Sequence, residues 1–395
     1  MLLKNCSYII TQNPKREILR NADVLIEENR IAQIGKNLKD EEMIDCSGKI
    51  LMPGLINTHT HLGMHSLKGK SDEAELFDWL KSISNEEAKL TPKKTYENTL
   101  DGLREAIRFG TTTIYDSYKF SDARLEAFEE AKVRGVISST VNNAETLKDS
   151  KKFLSGLKSK LVKGAIAANS ICNCDEETLK KVIEFSNSKK LLRRIHVGET
   201  RKERYDILQQ KGKLAIEYLD SIGFLGKNCL LVHCIWITKG EIRKIAGKKA
   251  KVSHNPVSNM KLASGGVMPL VEMLEENITV GLGTDSVASN NNLDMFEEMK
   301  TAALLHKHHK WNPKAITSQQ ILDMATIKGT ECLMLDDIGS IEKGKKADLI
   351  TLDIEHNLKP INDVISSAVY SANGLNVSDV IIDGKIRMEK KSLLF

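Results

Sequence analysis

The sequence predicts an α/β fold: a closed (β/α)8 barrel carrying a small β-sandwich built from the two ends of the chain. Three observations predict it. Eight short β-branched runs recur through the middle of the chain, amphipathic stretches rich in Lys, Glu and Leu separate them, and both ends have a different, turn-rich β texture. Strands that alternate with helical patterns imply parallel strands and crossover helices, and eight such units suit a closed TIM-like barrel better than an open sheet.

In chain order, SYIITQN, ADVLIEENRIAQIG and EMIDCSGKILMPG read as short antiparallel strands separated by Asn, Gly and charged turns. The barrel strands follow as PGLINTHTH, TTTIYDS (111–117), GVISSTV (135–141), VKGAIAANS (162–170), LLRRIHV (191–197), CLLVHC (229–234), KAKVSH (249–254) and ITVGLGTDS (278–286). Between them TPKKTYENTLDGLREAIRF, DEETLKKVIEFSNS and VMPLVEMLEEN carry helical periodicity, the last two closing before polar turns. The β texture returns in IGSIEKGKKADLITLD (338–353) and VSDVIIDGKIRMEK (377–390), with hairpin-like Gly turns. The expected division is a discontinuous sandwich of residues 1–52 and 339–395 beside a barrel of residues 53–338.

With 395 residues and 41% apolar content the chain can bury a large core. Its 58 Lys and Arg nearly balance 53 Asp and Glu, and runs such as KGKK and RKER read as solvated faces. Dispersed charge with 5% aromatic residues argues against nucleic-acid binding. No apolar stretch approaches the roughly 20 residues that span a bilayer, and MLLKNCSYII lacks a signal-peptide pattern, so a cytoplasmic protein without a membrane partner is expected. Seven cysteines without a disulfide framework agree with a reducing compartment. Cys172 and Cys174 in ICNCD have no second pair at zinc-ribbon spacing and read as buried or idle thiols.

INTHTHL puts His59 and His61 two apart, where strand geometry turns both imidazoles to one face. A shared metal ion and a turn with two solvated histidines explain the tripeptide equally well. Active-site residues of such barrels sit at the C-terminal strand ends. His59 and His61 end the first strand, His196 the fifth, His233 the sixth and Asp285 the eighth, and as a set on one rim they point to a metal centre. Neutral imidazoles with a carboxylate suit Zn(II), with Fe(II) the other candidate. Zinc lowers the pKa of bound water from about 15.7 towards roughly 7. One ion is expected rather than two: the fourth strand ends in AANS, and Lys163 lies at its beginning, on the opposite rim.

PGLINTHTH, HVGET, VHC, SHNPVSNMKLASGG and GLGTDSVASNN, in that order, resemble the amidohydrolase superfamily over most of the chain. Within it, SHNPVSNMKLASG and GTDSVASNNNLDMFEEMKTAALL are similar to the 5-methylthioadenosine/S-adenosylhomocysteine deaminase group. The resemblance implies that His59, His61, His196 and Asp285 bind the metal, that His233 hydrogen-bonds the water or developing oxyanion, and that Asp285 orients the hydroxide. It makes Glu199 the group that protonates the ring nitrogen and passes a proton to the leaving ammonia. It implies a substrate site of Trp79, Glu87 against the ribose hydroxyls, and Asn169 where the group commonly has histidine, with Glu199 and Asp285 facing the same substrate.

Asn142, Asn143 and Lys148 stand where the group's arginines are expected, so a small 5'-modified adenosine, adenosine or a free amino-heterocycle is easier to accommodate than a carboxylate-bearing substrate. The implied activity is hydrolytic deamination of an adenine nucleoside (5'-methylthioadenosine, S-adenosylhomocysteine, 5'-deoxyadenosine or adenosine), in a homo-oligomer. A cyclic amide or substituted triazine is the alternative substrate class. A non-catalytic barrel would have lost a ligand or Glu199, and neither is lost.

Each residue also has a plainer reading. Glu199 alone would be a first-turn carboxylate of the helix beginning near TRKERYD, Trp79 a core anchor and Glu87 helix surface. His254 in SHNP is expected to order the loop after the seventh strand rather than to bind metal. His65, His306, His308, His309 and His356 read as solvated.

Overall fold

A computed structural model describes residues 1–74 and 76–395. Eight strands, β1 (Leu55–Thr60), β2 (Thr111–Tyr118), β3 (Arg134–Val141), β4 (Val162–Ser170), β5 (Leu192–Val197), β6 (Cys229–His233), β7 (Lys251–His254) and β8 (Val280–Leu282), pair in parallel in sequence order. Each lies within or overlaps its expected segment. A parallel bridge from Thr60 to Asp285 brings the eighth strand beside the first, so the sheet closes as a barrel. β2 is buried at every position, as a parallel strand covered on both faces must be, and its Thr-Thr-Thr-Ile run supplies the β-branched residues that such a strand favours.

The helices follow local rules. Pro92–Arg108 starts where the Thr91 side chain accepts from the Lys94 amide and Pro92 occupies the first turn. Asp175 caps Glu176–Lys189 in the same way. The segment VMPLVEMLEEN forms only the short helix Leu270–Glu275, because Pro269 sets its start. Among the described residues no helix is long and apolar enough to cross a membrane.

Both chain ends join one nine-stranded sheet containing Leu2–Ile10, Ile18–Glu27, Arg30–Gly35, Lys49–Pro53, Leu349–Asp353 and Val377–Ile382. It encloses its own apolar cluster, in which Leu3, Val24, Ile31, Leu51, Leu349 and Ile381 are buried. The expected antiparallel texture holds for most pairs, but Leu2–Ile10 pairs in parallel with Met43–Asp45 and Lys49–Pro53. After its antiparallel excursion through Ile18–Gly35 the chain crosses over and returns along the other edge of its first strand. Gly54 marks the passage from this sheet into β1, since a Cβ there would lie 2.1 Å from Thr112 Oγ1. The Arg134 guanidinium, at the start of β3, grips the Asp348 carboxylate and ties the terminal sheet to the N-terminal end of the barrel. The opposite rim is left open.

Two histidines expected to be solvated are not. His306 is fully buried in Met295–His309, its Nε2 3.0 Å from His254 Nε2. Met299, Ala302, Ala303 and His306 share the inward face of that helix, a helical spacing that the polar run HKHH concealed. His65 is half-buried against Glu105, 2.8 Å away. His308, His309 and His356 are exposed as expected.

Candidate functional site

The rim gathers the expected residues into one cluster. Ring nitrogens of His59, His61 and His196 lie within 4.8 Å of one another, and so do ligand atoms of His59, His233 and Asp285. Asp285 Oδ1 is 3.2 Å from His59 Nε2 and 3.5 Å from His61 Nε2. His233 and Asp285 both have left-handed backbone, φ 77° and 61°, which costs a non-glycine residue about 1–3 kcal/mol. Such strain at two strand ends turns both side chains inward, where the ladder alone would not point them.

Hydrogen bonds to the far nitrogen of each ring divide the histidines into two kinds. His61 Nδ1 donates to the Ser117 carbonyl and His196 Nδ1 to the Asn169 carbonyl. Their Nε2 atoms therefore face the cluster as lone pairs. His233 is the reverse: the amides of Asn255 and Asn259 approach its Nδ1 at 3.3 and 3.0 Å. The Ser253 hydroxyl on Asn255 Oδ1 turns the NH2 group of that amide towards the ring, so Nδ1 accepts and His233 Nε2 carries the hydrogen. Burial holds all four imidazoles below their ordinary pKa, and the nearby Arg194 charge adds to this. Burial pushes the Asp285 carboxyl up, but the hydrogen bond from His59 and the other imidazoles outweigh it and hold Asp285 well below its usual range. Neutral imidazole lone pairs beside an ionised carboxylate make a donor set that fits a divalent ion of the zinc type.

Glu199 follows Gly198 at the end of β5, and its Oε2 lies 3.7 Å from His233 Nε2. The helix after it is Arg201–Lys211, capped by Thr200, and the first-turn acid is Glu203. Glu203 accepts from the amides of Gly198 and Glu199 at 3.1 and 2.8 Å, leaving the Glu199 carboxyl to face the cluster. Burial, followed by the Asp285 charge, pushes Glu199 up to about 8.

A pocket of about 740 Å³ opens over this cluster, and Trp79, Glu87, Tyr118, Asn169 and Glu199 line it. The Tyr118 hydroxyl donates to Glu87 Oε1 at 2.6 Å, aiming a carboxylate from the helix Leu76–Glu87 into the pocket. Trp79 is buried in the same wall. Asn143 spends its side chain capping Ala144–Gly156, and the uncharged Thr140, Ser170, Cys172 and Asn173 line the pocket together with Glu203 and the paired Lys202 and Asp206. His254 faces His306, away from the cluster.

Sequence reasoning missed the supports. Asn255, Ser258 and Asn259 belong to SHNPVSN, and their i, i+3 and i+4 spacing at the short helix Pro256–Lys261 was the available signal. Ser258 Oγ donates to Asp285 Oδ2 at 2.8 Å. Asp116, two residues before the end of β2, receives the Leu62 amide at 2.8 Å and pairs with buried Arg124, which pins the turn after His61. Arg194 lies beneath the ring cluster, and neither its type nor its place in RRIHV announced that.

Comparison with known proteins agrees with this geometry. The family model described as "Amidohydrolase family" matches residues 50–387. The chain is 39% identical to a 5'-deoxyadenosine deaminase of Methanosarcina acetivorans, over 100% of this chain and 94% of that one. It is 40% identical to a 5-methylthioadenosine/S-adenosylhomocysteine deaminase of Thermococcus onnurineus, over 100% and 95% of the two chains. Among solved structures, a zinc-bound adenosine deaminase from Xanthomonas campestris superposes with a TM-score of 0.96 at 28% identity, covering 100% of this chain and 94% of that one.

Proposed function

This chain belongs to the amidohydrolase family and is a hydrolase of carbon–nitrogen bonds, and on that premise we propose that it deaminates an adenine nucleoside bearing a small, uncharged 5' group. The observation that carries the reading is the opposed set of imidazoles. His61 and His196 present lone pairs, His233 presents a hydrogen, and Asp285 and Glu199 bring carboxyl groups to the same space.

In this reading His59, His61, His196 and Asp285 hold one divalent ion, with Zn(II) first and Fe(II) second by donor chemistry. When bound, such an ion supplies the Lewis acidity that lets water ionise near neutral pH. The residues of the chain do the rest. Glu199, still protonated at neutral pH, donates from its carboxyl to N1 of the adenine ring, which makes C6 electrophilic. Asp285 takes the proton of the attacking water. The Nε2 hydrogen of His233 meets the negative charge that develops on the new C6 oxygen. Glu199, now a carboxylate, takes the proton of the new C6 hydroxyl and delivers it to the exocyclic nitrogen, the C6–N bond breaks, ammonia leaves with the inosine analogue, and the proton held by Asp285 restores the Glu199 acid. Glu87, aimed by Tyr118, accepts from the ribose hydroxyls, Trp79 walls the nucleoside, and Asn169 hydrogen-bonds the ribose or base.

The uncharged Thr140, Ser170, Cys172 and Asn173, with Lys202 engaged by Asp206, support 5'-deoxyadenosine or 5'-methylthioadenosine ahead of S-adenosylhomocysteine. The test is ammonia release by zinc-loaded protein against these three, adenosine, adenine, guanine and cytosine. Preference for an adenosine with a small 5' group is expected. Silence on every nucleoside with metal bound would overturn the reading and direct attention to cyclic amides and triazines.

A further inference from the structure

Arg194 is fully buried on β5, two residues before His196. Its Nη2 lies 3.0 Å from His59 Nδ1 and 3.2 Å from His59 Nε2, and also touches His196 Nε2; Nη1 is 3.3 Å from His196 Nδ1. Its Nε has no partner. The other buried arginines are neutralised or saturated: Arg124 by Asp116, Arg134 by Asp348, and Arg193 by the Phe224 carbonyl, Ser186 and Asn187. Among the described residues Arg194 makes no ion pair.

A guanidinium has only donors, and a neutral imidazole has one lone pair. Arg194 therefore donates into lone pairs that a metal ion needs, on His196 Nε2 and on one nitrogen of His59. His59 is affected most. His61 and His196 rest their far nitrogens on carbonyl acceptors, the arrangement that frees Nε2 for a metal, whereas the far nitrogen of His59 meets the Arg194 Nη2 donor in place of an acceptor. The guanidinium also carries a positive charge that opposes a divalent cation at close range and low dielectric.

We propose that Arg194 is an internal competitor of the metal: it satisfies the ring nitrogens in metal-free protein and sets the metal affinity low, so that the ion exchanges readily. This rests on the metal reading given above but not on the substrate. As the ion enters, the guanidinium gives up His196 Nε2 and His59, and the fold keeps its shape between the two states because the same rings are satisfied in both.

The experiment strips the protein with chelator, then measures Zn(II) affinity by competition with a chromophoric chelator, and the melting temperature with and without zinc. Arg194→Met is expected to bind zinc about 10²-fold tighter than the natural chain, the scale on which groups behind metal ligands act. Its metal-free form should melt lower, and zinc should stabilise it by more than it stabilises the natural chain. Arg194→Gln, which keeps a donor amide and removes the charge, covers the case in which the methionine variant does not fold and should show tighter binding by a smaller factor. Equal or weaker affinity in the folded variants overturns the role of Arg194 while leaving the metal site intact. Failure of every form to bind zinc overturns both, and ammonia release in the absence of measurable zinc affinity would separate that result from the deaminase reading.

Discussion

Two fully buried arginines lie under the same rim, and their surroundings are opposite. Arg124 pairs with Asp116 and also donates to the carbonyls of Lys119, Tyr118 and Ser138 and to Ser121, at 3.0, 2.8, 2.8 and 3.0 Å. Arg194 meets only ring nitrogens and leaves Nε unpaired. A saturated cluster has nothing left to bind and can only hold shape; here it holds the turn after His61. An unsaturated cluster keeps valences open to another molecule, here the Nε2 lone pair of His61 and the Nε2 hydrogen of His233, while Arg194 alone occupies the lone pairs of His59 and His196. The contrast separates scaffold from site more sharply than burial does, since both clusters are buried.

The largest effect expected on the unsaturated side is that of Glu199→Gln. The variant should keep its metal and lose about 10²- to 10⁴-fold in turnover, whereas His61→Ala should lose both metal and turnover. Metal content alongside initial rates checks this, and a Glu199→Gln enzyme of normal rate would end the proposed role. Glu199 also predicts a pH response. It keeps its proton up to about 8 in the folded protein against an ordinary 4.5, so the folded state binds more protons between those values. Stability then falls as pH rises through that interval. Metal-free Glu199→Gln, which has no such group, should show a flatter melting temperature across it, and a parallel pH dependence would contradict the shift.

On the saturated side, Arg124→Met leaves Asp116 as an uncompensated buried charge and should cost about 3–5 kcal/mol of stability, read by urea unfolding. The shape of the pH–rate profile of the folded fraction should be unchanged. A loss below about 1 kcal/mol would erase the distinction between the two clusters.

How much of this was legible follows from the same contrast. The barrel was readable because each strand carries its own β-branched run, and the rim because strand ends place side chains at predictable points, so His59, His61, His196, His233 and Asp285 converge as expected. Periodicity could not show which nitrogen of each ring carries the proton. That depends on Asn255 and Asn259 reaching across from the β7 loop to the β6 end, contacts between segments that no local pattern encodes. His306 was misread because three polar neighbours masked its inward face, and Arg194 passed unnoticed because arginine on a strand ordinarily signals solvent. The parallel return of Lys49–Pro53 beside Leu2–Ile10 was hidden because pairing direction is set by the crossover, and the composition of the strand is the same either way.

An intermediate effect tests the proton placement on His233. Asn259→Leu removes the donor 3.0 Å from Nδ1 and leaves Asn255 alone to keep that nitrogen an acceptor. Outer partners of this kind are typically worth about 10- to 100-fold, and the loss should fall on kcat with KM little changed, because the Nε2 hydrogen is used only as charge develops. A change confined to KM would move His233 from transition-state donor to ground-state contact.

The smallest effect is expected at the proposed 5' side of the pocket, where Thr140, Ser170, Cys172 and Asn173 offer no charge. A hydrogen bond to a charged group is worth about 1.5–3 kcal/mol, so S-adenosylhomocysteine, whose carboxylate meets only a lysine already paired, should trail 5'-deoxyadenosine by about tenfold or more in kcat/KM. Lys202 lines the same pocket but is engaged by Asp206 one turn along its helix. Exposed pairs of this spacing contribute only about 0.3–0.5 kcal/mol, so Asp206→Ala should release Lys202 and narrow the gap about twofold. Kinetics with both substrates decide the matter: a gap that stays fixed in Asp206→Ala places the discrimination in the shape of the neutral wall, and one that closes places it in the missing charge.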